Sequence, residues 1–337
     1  MNKQVVTFGE LMLRLEPPGY ARLTQTNSLN MTFGGAEANV AVSLANYGNP
    51  CSFISKFPSN SLGTAAVNSL RQLGVDTGQV LWGGDRIGIY FTENGAAQRA
   101  PVVLYDRANS AIAQIEPGEI NWSEVFTGKD WFHFTGITPA LGEGPAAVTL
   151  EAVATAKNMG LTVSCDFNYR SKLWSVKSAG PVMTELLKYV DVAMGIGEME
   201  AEQILGLSVN AVGDSNSRFQ ALAETLLQKF KFSYVATTQR NAYSASDNGW
   251  SAMLYDGKEY YQSSEYDMHM VDRVGSGDAF CGSLLYALLQ EYTPQKAIDF
   301  ATAASCLKHS IPGDYNHVTL AEVEALMAGD GSGRIRR

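Results

Sequence analysis

The stretch VDRVGSGDAF, residues 271–280, places small residues and an aspartate at the start of an apolar segment that predicts a helix. The first turn of a helix offers backbone N–H groups without intrahelical partners and the positive end of the helix dipole. Because glycine lets an anion approach the main chain closely, the amides of Gly275, Ser276 and Gly277 predict an anion hole. The Asp278 carboxylate would repel an anion bound there, so its presence indicates a chemical role beside that anion. We expect it to take the proton from a hydroxyl that attacks a phosphoryl group. The alternative is that Asp278 only caps the helix.

Two arginines follow predicted strands: Arg107 in YDRANSA and Arg170 in DFNYRSKLW. Arginine stays charged at any working pH and binds carboxylates through two nitrogens. A neutral sugar does not need two guanidinium groups, so the pair indicates an acidic ligand. The alternative, that both arginines form structural ion pairs, stays open at this point.

Strand-like runs alternate with amphipathic helical patterns over most of the chain. This alternation predicts a doubly wound α/β fold, in which a mainly parallel sheet is flanked by helices and ligands bind at the carboxyl ends of its strands. Extra β-rich segments at about 11–34 and 86–107 do not fit the alternation and predict a small β-sheet lid. In RIGIYFTE, period-two alternation puts Tyr90 on the face opposite Ile89 and Phe91.

Composition limits the classes of function. The chain has 337 residues, a net charge of −9 and no basic stripe, which argues against a nucleic-acid surface. It has no apolar run of about 18 residues, so we expect no membrane span. Its four cysteines lie far apart, as in a reduced cytoplasmic protein. We expect one α/β domain with its lid over 1–330 and a disordered tail over 331–337.

Two motifs resemble a known family. DRVGSGDAF resembles the C-terminal signature of the ribokinase-like (PfkB) carbohydrate kinases, and GGAEANVAVSLANYG, residues 34–48, resembles their N-terminal signature. The motifs stand in the family's order, and the resemblance covers nearly the whole chain. It implies a ribokinase-like fold with a small β-sheet lid, with ATP and Mg²⁺ as cofactors. It also implies that Asp278 is the base and that the 275–277 amides are the anion hole.

The segments around Arg107 and Arg170 resemble those of the family's 2-keto-3-deoxygluconate kinases (2-dehydro-3-deoxygluconokinases). This implies ATP-dependent phosphorylation of 2-keto-3-deoxygluconate at its terminal hydroxyl, giving 2-keto-3-deoxy-6-phosphogluconate. Arg14 aligns with a place where many relatives that bind neutral sugars have aspartate, which suits the same acidic ligand. Asp314, in SIPGDYNHV, is implied to reach the sugar, with a simple turn as the alternative. The implied substrate-binding residues are Gly34, Gly35, Ala36, Glu37, Ala38, Tyr90, Tyr105, Asp106, Arg107, Arg170, Asp278 and Asp314.

The resemblance is weaker on the nucleotide side. The implied nucleotide-binding residues are Asn168, Tyr169, Arg170, Thr237, Gly275, Ser276, Gly277 and Asp278. TTQRNA, residues 237–242, lacks the two glycines usual in the family, and Gly197 replaces asparagine in GEME. Glu200 of GEME is still expected to help hold hydrated Mg²⁺ through water.

Three rival functions follow from the same residues. One is another kinase of the family, a fructokinase or a ribokinase-like enzyme. Another is a non-catalytic sensor of sugar acids, suggested by the altered 237–242 and 197–200 segments. A dinucleotide-dependent oxidoreductase is disfavoured because no GxGxxG follows the first predicted strand. We also expect a homo-oligomer that associates through the lid strands.

Overall fold

The computed structural model describes residues 3–210, 212–329 and 331. The predicted tail therefore lies outside the described residues apart from residue 331. In chain order the strands are β1 (Val5–Phe8), β2 (Met12–Glu16), β3 (Asn30–Gly34), β4 (Cys51–Ile54), β5 (Lys56–Phe57), β6 (Leu81–Trp82), β7 (Ile89–Glu93), β8 (Val102–Asp106), β9 (Trp131–Thr135), β10 (Thr162–Asp166), β11 (Val192–Met194), β12 (Tyr234–Ala242), β13 (Asp247–Tyr255), β14 (Tyr260–Gln262) and β15 (Tyr266–His269). The α-helices are α1 (Ala36–Asn46), α2 (Ser61–Arg71), α3 (Trp122–Val125), α4 (Glu143–Asn158), α5 (Val176–Leu186), α6 (Ser215–Phe230), α7 (Ser276–Leu289), α8 (Pro294–Lys308) and α9 (Leu320–Met327).

The large sheet runs in the order β14-β13-β12-β11-β10-β9-β1-β4, and β15 also pairs with β13. From β4 to β12 every neighbouring pair is parallel, whereas β12 and β13 form a long antiparallel pair. The predicted doubly wound, mainly parallel α/β fold is confirmed.

Successive residues of β1 belong to two different cores. Val5 packs in one with Phe280 of α7, and Val6 packs in the other with Phe132 of β9. Because neighbouring side chains of a strand point to opposite faces, the sheet is covered by helices on both sides. The carboxyl edge of the sheet is thus left as the place where polar side chains meet a cavity.

A second sheet, which we call the small sheet, has the order β3-β2-β7-β8. Its strands fall within the two segments that the sequence sets apart, 11–34 and 86–107. Along β7 the burial alternates: Tyr90 and Thr92 are buried, whereas Ile89, Phe91 and Glu93 are half-buried. Within the described residues, no helix is both long enough and apolar enough to cross a membrane.

Candidate active site

Helix α7 begins at a turn that only glycine fits. Gly275 precedes the helix with φ +80°, in the left-handed region, and a Cβ added to it would lie 2.0 Å from the carbonyl oxygen of Asp314. Gly277, in the first turn, faces open space, because an added Cβ would meet nothing within 4 Å. The N-terminal end of α7 is therefore accessible to an anion at Gly277.

Asp278 lies in the first turn of α7 and lines a cavity of about 1320 Å³. The pKa of its carboxyl is raised to about 7: burial is the largest cause, the hydrogen bond from Asn39 opposes it, and the nearby Asp166 and Asp314 carboxylates add to it. Arg170 acts in the opposite direction. A carboxyl with a pKa near neutrality, placed beside the open end of a helix, suits proton removal from an alcohol.

Asn39 holds the Asp278 carboxylate from the facing helix. Its side-chain Nδ2 donates to Oδ2 of Asp278 at 2.6 Å, while its Oδ1 accepts the Gly35 N–H at 3.3 Å. A Cβ on Gly35 would lie 1.9 Å from the carbonyl oxygen of Glu10, so glycine is required where β3 turns into α1. Asn39 was not among the predicted site residues. The signal was an amide within the first helical residues of the GGAEAN motif.

Most of the predicted site residues line this one cavity. They are Gly34, Gly35, Ala36, Glu37, Tyr90, Tyr105, Asp106, Arg107, Asn168, Tyr169, Arg170, Gly275, Gly277, Asp278 and Asp314. Lining the cavity does not test a binding role, so those roles stay predictions.

Four predicted residues do not line the cavity. Ala38 is buried in the core, and Ser276 is buried with its hydroxyl donating to the Arg273 carbonyl at 2.8 Å. Thr237 is half-buried within β12. Glu200, at the start of a π-helical segment (Glu200–Ile204), accepts the N–H of Gly197 at 3.0 Å. Ala38 and Ser276 thus have evident packing and turn-closing roles here.

Arg107 lines the cavity but is already paired. Its Nε donates to Oε2 of Glu10 at 2.8 Å and its Nη2 donates to the same oxygen, while the Ser110 hydroxyl donates to the other carboxylate oxygen at 2.6 Å. Glu10 and Arg107 are both buried. The structural ion pair left open by the sequence is therefore present for Arg107, and its charge is largely neutralised before any ligand binds.

Arg170 is different. Its residue is exposed at the cavity, and among the described residues no carboxylate lies within 4.0 Å of its guanidinium. It is close enough to lower the pKa of both Asp166 and Asp278. This guanidinium is available to an anionic group of a ligand.

Asp166, at the end of β10, is a second cavity carboxylate, and it was missed from the sequence. Burial raises its pKa to about 6, against the opposing charge of Arg170 and a 3.1 Å hydrogen bond from Nδ2 of Asn168. Asn168 has φ +38°, on the left-handed side that asparagine tolerates better than most residues. The turn after β10 thereby keeps an amide beside the carboxylate.

Tyr90 of the small sheet also lines the cavity, and its buried hydroxyl makes no hydrogen bond of good geometry among the described residues, although the Asp314 carboxylate lies close enough to help raise its pKa. Its ring stacks on that of Tyr105, with centroids 6.0 Å apart. A Cβ on Gly34 would lie 2.6 Å from this hydroxyl and 2.1 Å from Oδ2 of Asp314. An unpaired buried hydroxyl beside a carboxylate is a place where a ligand hydroxyl would restore the missing hydrogen bond.

Arg14 does not face the cavity as a free cation, which corrects the suggestion that it suits an acidic ligand. It is 1% exposed, and it donates to Asp314 Oδ1 at 2.8 Å, to Asp272 Oδ2 at 2.7 Å and to Glu16. Its Nε donates to the Thr92 hydroxyl at 3.2 Å.

Asp106 is paired in a similar way on the surface, where Arg86 donates to its carboxylate at 2.8 Å and lowers its pKa.

The described residues contain no group of three or more histidine, cysteine, aspartate or glutamate side chains that would cage a metal. Magnesium commonly keeps several waters and takes only one or two protein carboxylates alongside substrate phosphates. A cavity with the carboxylates of Asp166 and Asp278 fits such a hydrated ion.

Comparisons with known proteins agree on one family. The model described as pfkB family carbohydrate kinase matches residues 2–319. A 2-dehydro-3-deoxygalactonokinase from Haloferax volcanii is 35% identical over 334 residues, 99% of this chain and 99% of the relative. The crystal structure of 2-dehydro-3-deoxygluconokinase from Thermotoga maritima is 45% identical, with a TM-score of 0.94 over 98% of this chain and 99% of that one. Fructokinase with bound ATP from Xylella fastidiosa, at 21% identity and a TM-score of 0.77 over 98% of this chain and 99% of that one, shares the fold.

Proposed function

Because this chain belongs to the pfkB family of carbohydrate kinases, we propose that it transfers the γ-phosphoryl group of ATP to the terminal primary hydroxyl of a sugar acid. The substrate we favour is 2-keto-3-deoxygluconate, and the product is then 2-keto-3-deoxy-6-phosphogluconate. The names of the Haloferax and Thermotoga relatives support a keto-deoxy sugar acid. A cytoplasmic location belongs to the same proposal.

The observation that carries this proposal is the position of Asp278 beside the open N-terminal turn at Gly277. Asp278 takes the proton of the primary hydroxyl while that oxygen forms its bond to the γ-phosphorus. The bond between the γ-phosphorus and its bridging oxygen breaks, and ADP leaves. The helix N-terminus stabilises the charge on the transferring group.

The acid end of the sugar lies near Arg107 and Arg170. Arg170 supplies the uncompensated positive charge, whereas Arg107, neutralised by Glu10, contributes hydrogen-bond donors and shape. Tyr90 and Asp314 bind sugar hydroxyls, since the Tyr90 hydroxyl meets no hydrogen-bond geometry within the described residues and lies next to the Asp314 carboxylate.

The small sheet acts as the lid. Tyr90 and Tyr105 come from it, and its closure over the sugar excludes water, which would otherwise accept the phosphoryl group. Its other side carries exposed apolar side chains, including Met31 at 54% and Val102 at 40% exposure. We propose that a second copy of the chain covers this side.

The nucleotide binds along the carboxyl edge of the large sheet, with Asn168 and Tyr169 near its phosphates. Thr237 and Glu200 do not line the cavity. A nucleotide that contacts them must therefore extend past the cavity along the sheet edge. When bound, Mg²⁺ neutralises the phosphate charge. Glu200 accepts the Gly197 N–H through Oε2 and would hold the ion through a water bound to its other carboxylate oxygen.

A panel assay tests the proposal. ADP release is measured with Mg–ATP and each of 2-keto-3-deoxygluconate, 2-keto-3-deoxygalactonate, gluconate, fructose and ribose. We expect kcat/KM for the keto-deoxy acids to exceed that for the neutral sugars by about 100-fold or more. A neutral sugar has no carboxylate to pair with the Arg170 guanidinium. A neutral sugar as the best substrate would instead favour the fructokinase or ribokinase alternative. The neutralised Arg107 is the observation that keeps this alternative open. Binding of acids without ADP release would identify a sensor.

A further inference from the structure

Lys308, the last residue of α8, is completely buried, and its ammonium group is surrounded by main-chain carbonyl oxygens. Its Nζ donates to the carbonyls of Val274 at 2.5 Å, Gly313 at 2.6 Å and Ile311 at 3.3 Å. Three acceptors require three N–H donors, which only the charged form of lysine provides.

The partners of this buried charge are unusual. A buried lysine is normally paired with a carboxylate, yet within the described residues no carboxylate oxygen lies within 4.0 Å of Nζ. Burial lowers the pKa of Lys308, while Asp272, Asp314 and Asp278 act at longer range to raise it. A cage of carbonyl oxygens is instead the kind of site by which proteins hold a dehydrated monovalent cation.

The cage joins the two loops that form the anion hole. Val274 directly precedes Gly275, and Gly313 directly precedes Asp314, whose carbonyl packs against Gly275. Asp272 clamps the same two loops through their amides, since it accepts the N–H of Val274 and the N–H of Gly313, each at 3.0 Å. Lys308 holds the carbonyls and Asp272 the amides, so together they fix the turn that carries Asp278.

We propose that Lys308 is a built-in monovalent cation, a positioning residue that fixes the anion-hole turn and makes turnover independent of dissolved K⁺ or NH₄⁺. This inference rests on the proposed kinase function. It further implies that removing the side chain without filling its space leaves a carbonyl-lined site for a cation of similar size, which NH₄⁺ or K⁺ would occupy.

The test compares Lys308→Ala, which empties the site, with Lys308→Met, which fills it without charge. Lys296→Ala is the matched control, because Lys296 is exposed on the same helix. Turnover is measured at constant ionic strength in choline chloride and then with LiCl, KCl or NH₄Cl replacing it. We expect wild type and Lys296→Ala to change by less than about twofold between salts. Lys308→Ala should lose about 10- to 100-fold in choline, through misplacement of the anion hole, and recover saturably with NH₄⁺ or K⁺ but not Li⁺. Lys308→Met should show the loss without the recovery.

Thermal unfolding in the same salts gives a readout that needs no substrate. NH₄⁺ and K⁺ should raise the Tm of Lys308→Ala above its value in choline. The Tm of wild type and the Tm of Lys308→Met should each stay at their values in choline. A wild-type enzyme that needs K⁺, an alanine variant with full turnover in choline, or one whose losses no cation reverses would each overturn the inference. If wild type phosphorylates no sugar acid, the proposed function fails, and the unfolding measurements still decide whether Lys308 occupies a cation site.

Discussion

The side-chain amide of Asn39 in α1 donates a 2.6 Å hydrogen bond to the Asp278 carboxylate in α7. This bond favours the ionised form of Asp278, against the burial that raises its pKa to about 7. We therefore expect kcat/KM of the wild-type enzyme to fall below about pH 7, by about tenfold per pH unit at the acidic end. Asn39→Ala should lower turnover and move this acidic limb to higher pH, because the carboxylate loses a donor. A pH–rate profile of both proteins checks this. An unmoved limb would mean that the bond does not tune the base.

Asp278→Asn removes the proposed base while keeping the shape of the side chain. We expect turnover to fall by about 10²–10⁴-fold or more, because proton removal in the transition state is lost. Sugar-acid binding, measured by titration calorimetry, should be largely kept. Comparable turnover in this variant would refute the assignment of Asp278.

The same substitution should change how stability depends on pH. The pKa of Asp278 is about 7 in the folded protein against an ordinary value of 3.8, so the folded state binds more protons than the unfolded state between these values. Its contribution to stability is therefore lost as pH rises through this interval, and the ionised carboxylate is unfavourable above pH 7. We expect Asp278→Asn to be more stable than wild type at pH 8 by about 1–2 kcal/mol, because solvent partly screens the half-buried carboxylate, with little difference near pH 4. Urea unfolding at both pH values measures this, and equal stability at pH 8 would contradict it.

Arg170 and Arg107 should respond differently to the same change. For Arg170→Gln we expect kcat/KM with the sugar acid to fall by about 10- to 100-fold, because a free cation facing an anion is lost, with little effect on stability. Arg107→Gln leaves Glu10 buried without its partner and should lower the free energy of unfolding by about 3–5 kcal/mol. Kinetics with a neutral sugar as control, together with denaturant unfolding, separate the two. A large loss of stability in the Arg170 variant would show that this residue is structural instead.

The sequence predicts much of this molecule because its signals are local. Alternating strands and helices predict the doubly wound sheet, and the Gly275 turn with Asp278 predicts the carboxylate beside a helix N-terminus. The membership of the carbohydrate-kinase family is confirmed. What the sequence did not reveal are partners brought together by the fold. Glu10 lies 97 residues from Arg107, so no local pattern shows that it neutralises that arginine.

Arg14 illustrates the same limit more strongly, because Asp272 and Asp314 follow it by 258 and 300 residues. Asp166 was missed for another reason. It is the last residue of a buried strand, a position that reads as core until the neighbouring strands place its side chain at the cavity. Asn39 was within the quoted motif, but only the packing of α1 on α7 shows which group its amide holds.

The Arg14 guanidinium ties β2 to Asp272 and Asp314, one on each of the two loops that meet at Gly275. An inner strand of the small sheet is thus tied to the turn that carries Asp278. If the small sheet is the lid that we propose, a swing that keeps these bonds pivots about β2, and the Arg107–Glu10 ion pair at the end of β8 sets a second limit on it. Under the proposed function, the sugar would then enter between the exposed Tyr105 on β8 and the loop that carries Arg170.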